Sequence, residues 1–272
     1  MIEAAILGVS VWMPGLPGWE AARPVLAGLA PFVFAEPPLP APTLLAANER
    51  RRAAASVRLA LTVAAEASAS AGIAPGAIPG VFASANGDGA VVGALLETLA
   101  GPDPSVSPTQ FHNSVHNAAA GYWSIAARSA APVTSLTGHD GSLAAALLRV
   151  ASEVAADGAT VLLVVYDLPL PVPLAALRPT RFACGLGLVL GPPGDGLATL
   201  RLDYRATPLD PTAELPLAPP LREIAAANPA GRGLRLLEAL ARRETASLAL
   251  RLFGGQVTME LQPCSAPRAS GR

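Results

Sequence analysis

The chain has 272 residues, which is enough for one large α/β domain or two small ones. Its 19 basic and 20 acidic residues nearly balance and are spread thinly, which excludes the basic face of a nucleic-acid binder. Only 14% of the residues are charged and 51% are hydrophobic, against about a quarter charged in ordinary soluble domains. Because so few charges leave apolar patches on a monomer, we expect a large subunit interface. An alanine-rich composition without a partner is the alternative.

Targeting and membrane signals are weak in this sequence. No apolar run comes near the roughly 20 residues that a membrane-spanning helix needs. The N-terminus carries Glu3 and no basic segment, so it does not resemble a signal peptide. Two distant cysteines, Cys184 and Cys264, do not make a disulfide framework. We therefore expect a cytoplasmic protein without a membrane span.

The first part of the chain alternates strand and helix patterns. Buried strands are short apolar runs, whereas helices repeat their apolar positions every three or four residues. In chain order the patterns predict a strand at 4–12, a Pro-Gly turn at 14–18, a proline-rich loop at 36–43, a helix from about 48 to 71, a strand at 81–84, a loop at 86–89 and a helix at 114–129.

The middle of the chain predicts a βαβ unit. Residues 132–137 form a strand, residues 142–156 a helix that ends at Asp157-Gly158, and residues 161–165 a second strand. The unbroken apolar run at 161–165 is typical of a strand buried on both faces of a parallel sheet. Residues 1–200 are therefore predicted to be one α/β domain.

Beyond residue 200 the pattern changes. Residues 207–229 are proline-rich and predicted to be irregular, and a helix follows from about 229 to 243. Alternating apolar residues around Gly254-Gly255 then predict a β-hairpin. We treat 201–262 as a reduced C-terminal portion and 263–272 as a disordered tail.

The junction between the strand at 132–137 and the helix at 142–156 is a candidate site. A residue on such a turn lies beside a helix N-terminus, whose free N–H groups stabilise negative charge, so enzymes place nucleophiles there. A cysteine in this position would react as a thiolate. Here the position is His139.

Residues Thr137–Gly141 resemble the nucleophile turn of β-ketoacyl synthases of the thiolase superfamily, Thr-Ala-Cys-Ala-Ser/Gly, with His139 in the place of the cysteine. Asn117–Gly121 resembles the Asn-Met-Ala-Ala-Gly of these synthases, and residues 183–190 resemble their later glycine-rich strand. The resemblance implies an α/β, thiolase-like fold that matches the N-terminal half of a ketosynthase, with a truncated C-terminal portion.

Two further segments resemble a narrower group. Asn48–Ala53 and Phe111–Asn117 are similar to the short ketosynthase-like subunits found beside aryl-polyene-type pigment synthases. Those subunits are related in role to the chain-length factors of type II polyketide systems. The resemblance implies a heterodimer with an active ketosynthase and transient contact with acyl carrier protein.

The same resemblance implies that this chain has no catalytic residues of its own. Active ketosynthases use a cysteine and two histidines from their C-terminal half, whereas the histidines here are His112, His116 and His139. Without downstream histidines, malonyl decarboxylation also loses its hydrogen-bond donors. We expect neither condensation nor decarboxylation by this chain alone.

The resemblance further implies a role for the segment before the turn. In chain-length factors it lines the end of the acyl tunnel at the dimer interface, and ordinary interface packing is the alternative. The candidate tunnel or interface residues are Phe111, His112, Val115, His116, Asn117 and His139.

Two other interpretations start from the histidines themselves. His139 with Asp140 or Ser142 would make a stand-alone acyltransferase or thioesterase, although Asp140 is more simply an N-cap and Ser142 lies late for a nucleophile elbow. His112 and His116 on one helix face, completed by His139, would make a metal site, but no nearby acidic residue orients them. We expect no metal and no cofactor.

Overall fold

The computed structural model describes residues 1–209 and 217–264, so most of the predicted tail at 263–272 lies outside the described residues. The strands are β1 (Ile2–Met13), β2 (Leu16–Pro17), β3 (Gly80–Ala83), β4 (Val133–Leu136), β5 (Val161–Asp167), β6 (Cys184–Gly191), β7 (Ala198–Arg205), β8 (Ala246–Leu252) and β9 (Gly255–Pro263). The helices are α1 (Trp19–Leu26), α2 (Ala47–Arg52), α3 (Ala55–Ser70), α4 (Gly89–Ala100), α5 (Pro108–Ser114), α6 (Ala118–Ala126), α7 (Ser142–Asp157), α8 (Leu174–Leu177), α9 (Pro219–Ala227) and α10 (Leu234–Arg242), with a 3-10 turn at Pro229–Gly233.

The strands of the described residues form a single mixed sheet in the order β4-β3-β5-β6-β1-β7-β9-β8, with β2 beside β1. β5 pairs in parallel with β3 and antiparallel with β6. The fully apolar β5 is buried along its whole length, as predicted. The expectation of a parallel sheet is therefore correct on one side of β5 and wrong on the other, because β6 returns directly from β5.

Two apolar layers cover the sheet. On one face α7 packs with β1, β5, β6 and the C-terminal hairpin, where Leu147 and Leu163 are fully buried. On the other face α3 and α6 pack, where Leu61 and Leu162 are fully buried. Successive residues of β5 alternate between the two layers, so one continuous apolar run serves both.

The helix predicted from 48 to 71 is two helices, because the backbone is extended at Ala53 and Ala54 between α2 and α3. Asn113 explains the break. Its buried Nδ2 donates to the carbonyl oxygen of Arg52 at 3.0 Å, and a continuous helix would use that carbonyl for its own hydrogen bond.

The helix predicted at 114–129 is also wrong in its first part. α5 ends at Ser114, Val115 is extended, and α6 begins only at Ala118. The preceding helix, α4, has no counterpart in the prediction. Its N-cap is Asp88, whose Oδ1 accepts from the N–H of Val91 at 2.9 Å, within the segment predicted as a plain loop.

The C-terminal part extends the sheet. The hairpin β8–β9 is confirmed, and β9 pairs with β7, which pairs with β1. Residues 207–229 are not wholly irregular, because α9 lies within them. The predicted division at residue 200 falls inside β7, and the two-part organisation of the chain stays a prediction.

Within 1–209 and 217–264, no helix has the length and apolar character that crossing a membrane requires.

Candidate functional site

The candidate site lies where three parallel strands end. β3 pairs in parallel with both β4 and β5, so their carboxyl ends lie at one edge of the sheet. The segments that follow, residues 84–87 after β3 and 137–141 after β4, therefore lie near Asp167 at the end of β5. Loops at such an edge hold ligand sites in many α/β proteins.

The turn between β4 and α7 has no room for a side chain at either of its two glycines. A Cβ on Gly138 would lie 3.1 Å from the carbonyl oxygen of Gly141, and one on Gly141 would lie 2.9 Å from that of Arg251. His139 between them has a left-handed backbone with φ 53°, and its side chain is 71% exposed. The turn thus presents the imidazole of His139 outward, as the sequence predicts, with the carboxylate of Asp140 beside it at 45% exposure.

Ser142 stabilises the turn from inside. Its fully buried hydroxyl donates to the carbonyl oxygen of His139 at 2.7 Å and accepts from the N–H of Gly138 at 3.0 Å. Both the hydroxyl hydrogen and an oxygen lone pair are used within the turn. Ser142 is therefore a structural residue, and its burial argues against the nucleophile that one alternative required.

Arg178 engages His139. The Nη1 of Arg178 lies at hydrogen-bond distance from Nε2 of His139, and its Nε donates to Oδ1 of Asn86. A guanidinium has donors only, so Nε2 of His139 must be the acceptor and its lone pair is occupied. An imidazole in this state is not a free general base.

Asp140 does not cap α7, as the sequence interpretation had it. The N-cap is Gly141, one residue later, and Asp140 lies outside the helix. Its Oδ1 lies 2.8 Å from Nη2 of Arg178, and its Oδ2 lies 3.3 Å from Nη2 of Arg232. Two cations therefore share this carboxylate, and its Oδ1 also lies 3.7 Å from Nδ1 of His139.

Asp167 is a part of the site that sequence reasoning missed. Its Oδ1 accepts from the hydroxyl of Ser84 and from the N–H groups of Ala85 and Asn86, each at 2.9 Å. Burial raises the pKa of this carboxyl to about 6, although these hydrogen bonds and the charge of Arg178 act in the opposite direction. A lone acidic residue closing a wholly apolar strand is the signal that indicates it.

Hydrogen bonds connect this network to the segment before the turn. Nε2 of His116 lies 3.0 Å from the carbonyl oxygen of Ser84, whose hydroxyl bonds to Asp167. Asn86 accepts a hydrogen bond from Arg178, which in turn bonds to His139. Two of the predicted tunnel or interface residues, His116 and His139, are thus linked through the buried Ser84 and Asp167 and the half-buried Asn86 and Arg178.

The other predicted residues of this segment lie on the surface. Phe111 is 64% exposed and Val115 44% exposed. His112 and Asn117 are exposed as well, and the ring of His112 lies edge-on to Tyr122 with centroids 5.6 Å apart. The structure does not bring the three histidines together, and the described part of the chain contains no group of three or more residues suited to hold a metal.

Neither thiol lies in the turn. Cys184 is fully buried in β6, where burial raises the pKa of its thiol. Cys264 follows β9 and lies 3.9 Å from the hydroxyl of Thr199. Neither cysteine therefore occupies the position that corresponds to the nucleophile cysteine of the ketosynthase turn.

A cleft of about 360 Å³ adjoins the turn. Its walls include His139, Asp140, Arg178, Asn228 and Arg232. The side chain of Asn228 is buried and bonds to the carbonyl oxygens of Asp167 and Phe182. The cleft therefore contains polar groups that are already paired within the chain.

Comparison with known proteins gives a family model that matches residues 29–215, described as the N-terminal domain of β-ketoacyl synthase. None of the curated proteins matches the sequence.

Several solved structures share the fold. One is the ketosynthase ApeO in complex with its chain length factor ApeC from Xenorhabdus doucetiae, with 20% identity and a TM-score of 0.71 over 96% of this chain and 100% of that one. The ishigamide ketosynthase/chain length factor has 16% identity and a TM-score of 0.71, covering 97% and 100%. The third, with 10% identity and a TM-score of 0.73 over 97% and 99%, is the AntDE:AntF complex of a type II polyketide acyl carrier protein and its hexaketide-bound ketosynthase. These likenesses confirm the thiolase-like ketosynthase fold.

Proposed function

The chain belongs to the β-ketoacyl synthase family by its N-terminal domain, and from that premise we propose that it is a non-catalytic, chain-length-factor-like subunit. It pairs with an active ketosynthase, which supplies the cysteine and two histidines. It shapes the tunnel in which acyl chains grow on acyl carrier protein, in type II polyene or fatty-acid-like synthesis. The proposed heterodimer works in the cytoplasm.

The observation that carries this proposal is the occupied nucleophile turn. His139 stands at the outward tip, its Nε2 accepts from Arg178, and both cysteines lie elsewhere. An imidazole in this state neither forms the thioester that condensation needs nor acts as a base. The chain has the fold of a condensing enzyme, but the side chain at the tip of its nucleophile turn is hydrogen-bonded to Arg178.

The surface beside β4 supports pairing with another protein. β4 is the last strand on its side of the sheet in the described residues, and its four residues are half-buried. An exposed strand edge offers unpaired backbone groups to a partner. α6 packs against β4, α5 packs against α6, and α4 packs against α5. These helices and the link between α5 and α6 carry exposed large apolar side chains, which are Leu96, Leu99, Phe111, Val115 and Ile125.

Phe111 and Val115 are the best candidates for setting product length. Both are exposed in this chain, so a partner that covers them would enclose their side chains in the interface. Bulk at the closed end of a tunnel limits the chain that fits, because overpacking a filled space costs free energy. Solved relatives described as ketosynthase and chain-length-factor pairs are consistent with this arrangement.

A second candidate, an acyltransferase or thioesterase using His139 with Asp140 or Ser142, is weaker. Ser142 is fully buried, and its hydroxyl is hydrogen-bonded within the turn. The carboxylate of Asp140 forms ion pairs with both Arg178 and Arg232. A nucleophile needs a free base and access to substrate. Neither condition is met by these three residues.

Reconstitution with a partner ketosynthase tests the proposal. The ketosynthase should be inactive or insoluble alone and should extend acyl groups on carrier protein when co-expressed with this chain. Phe111→Ala should then shift products by one or more extension units toward longer chains, measured by mass spectrometry of the released acyl groups. Phe253→Ala, an equal truncation of an exposed residue at the β8–β9 turn, is the control and should leave product length unchanged. A ketosynthase that gives the same products without this chain would refute the proposal.

A further inference from the structure

A cavity of about 310 Å³ lies beneath the C-terminal hairpin. Its walls come from α7, α9, α10 and the strands β8 and β9, and the described lining contains neither an aromatic nor an acidic side chain. The apolar part is aliphatic and includes Leu143, Leu147, Leu236, Leu248 and Met259. This volume lies within the range of small-ligand sites.

Four arginines also line this cavity: Arg222, Arg232, Arg235 and Arg251. Two of them are neutralised by the chain itself. Arg235 lies 2.9 Å from Glu238 and 2.7 Å from Glu244, and Arg232 lies 3.3 Å from Asp140.

The other two arginines lie outside the ion pairs found among residues 1–209 and 217–264. Nη2 of Arg222 donates to the carbonyl oxygen of Leu217 at 3.0 Å, and within 1–209 and 217–264 neither Arg222 nor Arg251 has an acidic partner. Both arginines are exposed residues of the cavity lining. A lining that combines buried aliphatic side chains with exposed guanidinium groups is complementary to an amphiphilic anion.

We propose that this cavity binds a linear aliphatic chain that ends in an anionic group, such as the carboxylate of a medium-chain fatty acid. The alkyl chain packs on the leucines of α7 and the hairpin, where each methylene is removed from water. The head group takes charge-assisted hydrogen bonds from Arg222 and Arg251, whose planar guanidinium groups match a carboxylate. The assignment rests on this cavity alone and not on the proposed ketosynthase partner.

Titration calorimetry of the full chain with hexanoate, octanoate and decanoate, all below micelle formation, tests the site. Binding should saturate at one ligand per chain, and each added methylene should strengthen it by about fourfold. Decyl sulfate should bind like decanoate, because both present an anion. Decyltrimethylammonium should bind at least about tenfold more weakly, because like charges repel.

Two variants separate the head-group contacts from the cavity itself. Arg222→Gln with Arg251→Gln should weaken decanoate binding about tenfold or more, whereas Arg51→Gln with Arg128→Gln removes the same charge from exposed positions elsewhere and should not. Ala225→Phe, which places a ring in the cavity lining, should abolish binding while the thermal transition remains cooperative. Equal binding of anion and cation, or unchanged binding in both the double arginine variant and Ala225→Phe, would overturn the proposal.

Discussion

The turn at 137–142 and the segment at 111–117 lie near the same edge of the sheet but differ in completeness. In the turn, polar groups are paired inside the chain: Ser142 holds the backbone, and Arg178 holds His139 and Asp140. In the segment, His116 is anchored to Ser84, whereas Phe111 and Val115 stand in solvent. Large apolar side chains gain free energy only when something covers them. The comparison shows that the polar groups of the turn are satisfied within the chain and that the segment leaves large apolar side chains uncovered, as the proposed heterodimer requires.

The largest expected effect is on the affinity of the proposed heterodimer, when the exposed apolar surface next to β4 is altered. Ile125→Asp places a charge on the apolar surface next to β4, where Ile125 is 61% exposed. In the proposed heterodimer that charge would be buried without a partner, which costs about 4 kcal/mol and weakens association by roughly a thousandfold. Analytical ultracentrifugation or surface plasmon resonance with the ketosynthase measures the loss.

Phe253→Asp is the matched control for Ile125→Asp, because it puts the same charge on an exposed residue at the β8–β9 turn. Its affinity for the ketosynthase should equal that of the unmodified chain. If both variants bind normally, the surface beside β4 is not the interface.

The second effect concerns Asp167, whose carboxylate accepts hydrogen bonds from the segment after β3. Its folded-state pKa of about 6 lies above the unfolded value of about 3.9, so the folded chain binds the extra proton. The contribution of this carboxyl to the free energy of unfolding is therefore largest below about pH 4 and falls by roughly 3 kcal/mol as the pH rises through about 6. Asp167→Asn keeps the acceptor for Ser84, Ala85 and Asn86 and should remove this fall.

Urea denaturation from pH 4 to 7.5 measures the pH dependence of the unfolding free energy. Asp157→Asn, at the exposed end of α7, is the control and should keep the pH dependence of the unmodified chain. An Asp167→Asn chain with an unaltered pH profile would show that this carboxyl titrates normally.

The third effect breaks the closed turn. Ser142→Ala leaves the N–H of Gly138 without its buried partner and removes one of the two hydrogen bonds to the carbonyl of His139, which should lower the free energy of unfolding by about 2 kcal/mol. Ser152→Ala removes a similar bond on the exposed face of α7 and should cost less than about 0.5 kcal/mol. Heterodimer activity of Ser142→Ala at a temperature where it is folded should be retained, whereas a serine nucleophile would require its loss.

The smallest effect is at His139 itself. Because its side chain is mostly exposed, His139→Ala should change the unfolding free energy by less than about 1 kcal/mol and condensation by the heterodimer by less than about twofold. Product analysis and thermal unfolding measure both. Complete loss of turnover in this variant would favour the acyltransferase or thioesterase alternative.

The sequence predicted best what depends on local pattern. The apolar run of β5, the helical repeat of α7 and the alternation around Gly254-Gly255 each appear where expected. The strand-to-helix turn with His139 at its tip was predicted as well, because it follows directly from those elements.

The parts that were missed depend on residues distant in the chain. Arg178 is 39 positions from His139 and 38 from Asp140. Asn113 interrupts the helix predicted at 48–71 by bonding to Arg52, 61 positions away. The spacing of apolar residues along a helix or strand carries no information about such long-range contacts. The failure to predict α4 has a different cause. Asp88 before an apolar run is an N-cap signal that the sequence contains, so this helix could have been predicted from local pattern.

The central claim is that this chain cannot carry or extend an acyl group by itself, and intact-mass analysis tests it most directly. The purified chain is incubated with acyl and malonyl carrier protein, alone and with the partner ketosynthase. The account predicts that the mass of this chain stays unchanged in both reactions, while the ketosynthase gains an acyl group and extended product appears only when it is present. A covalent acyl adduct on this chain together with extended product in the reaction without the ketosynthase would contradict it.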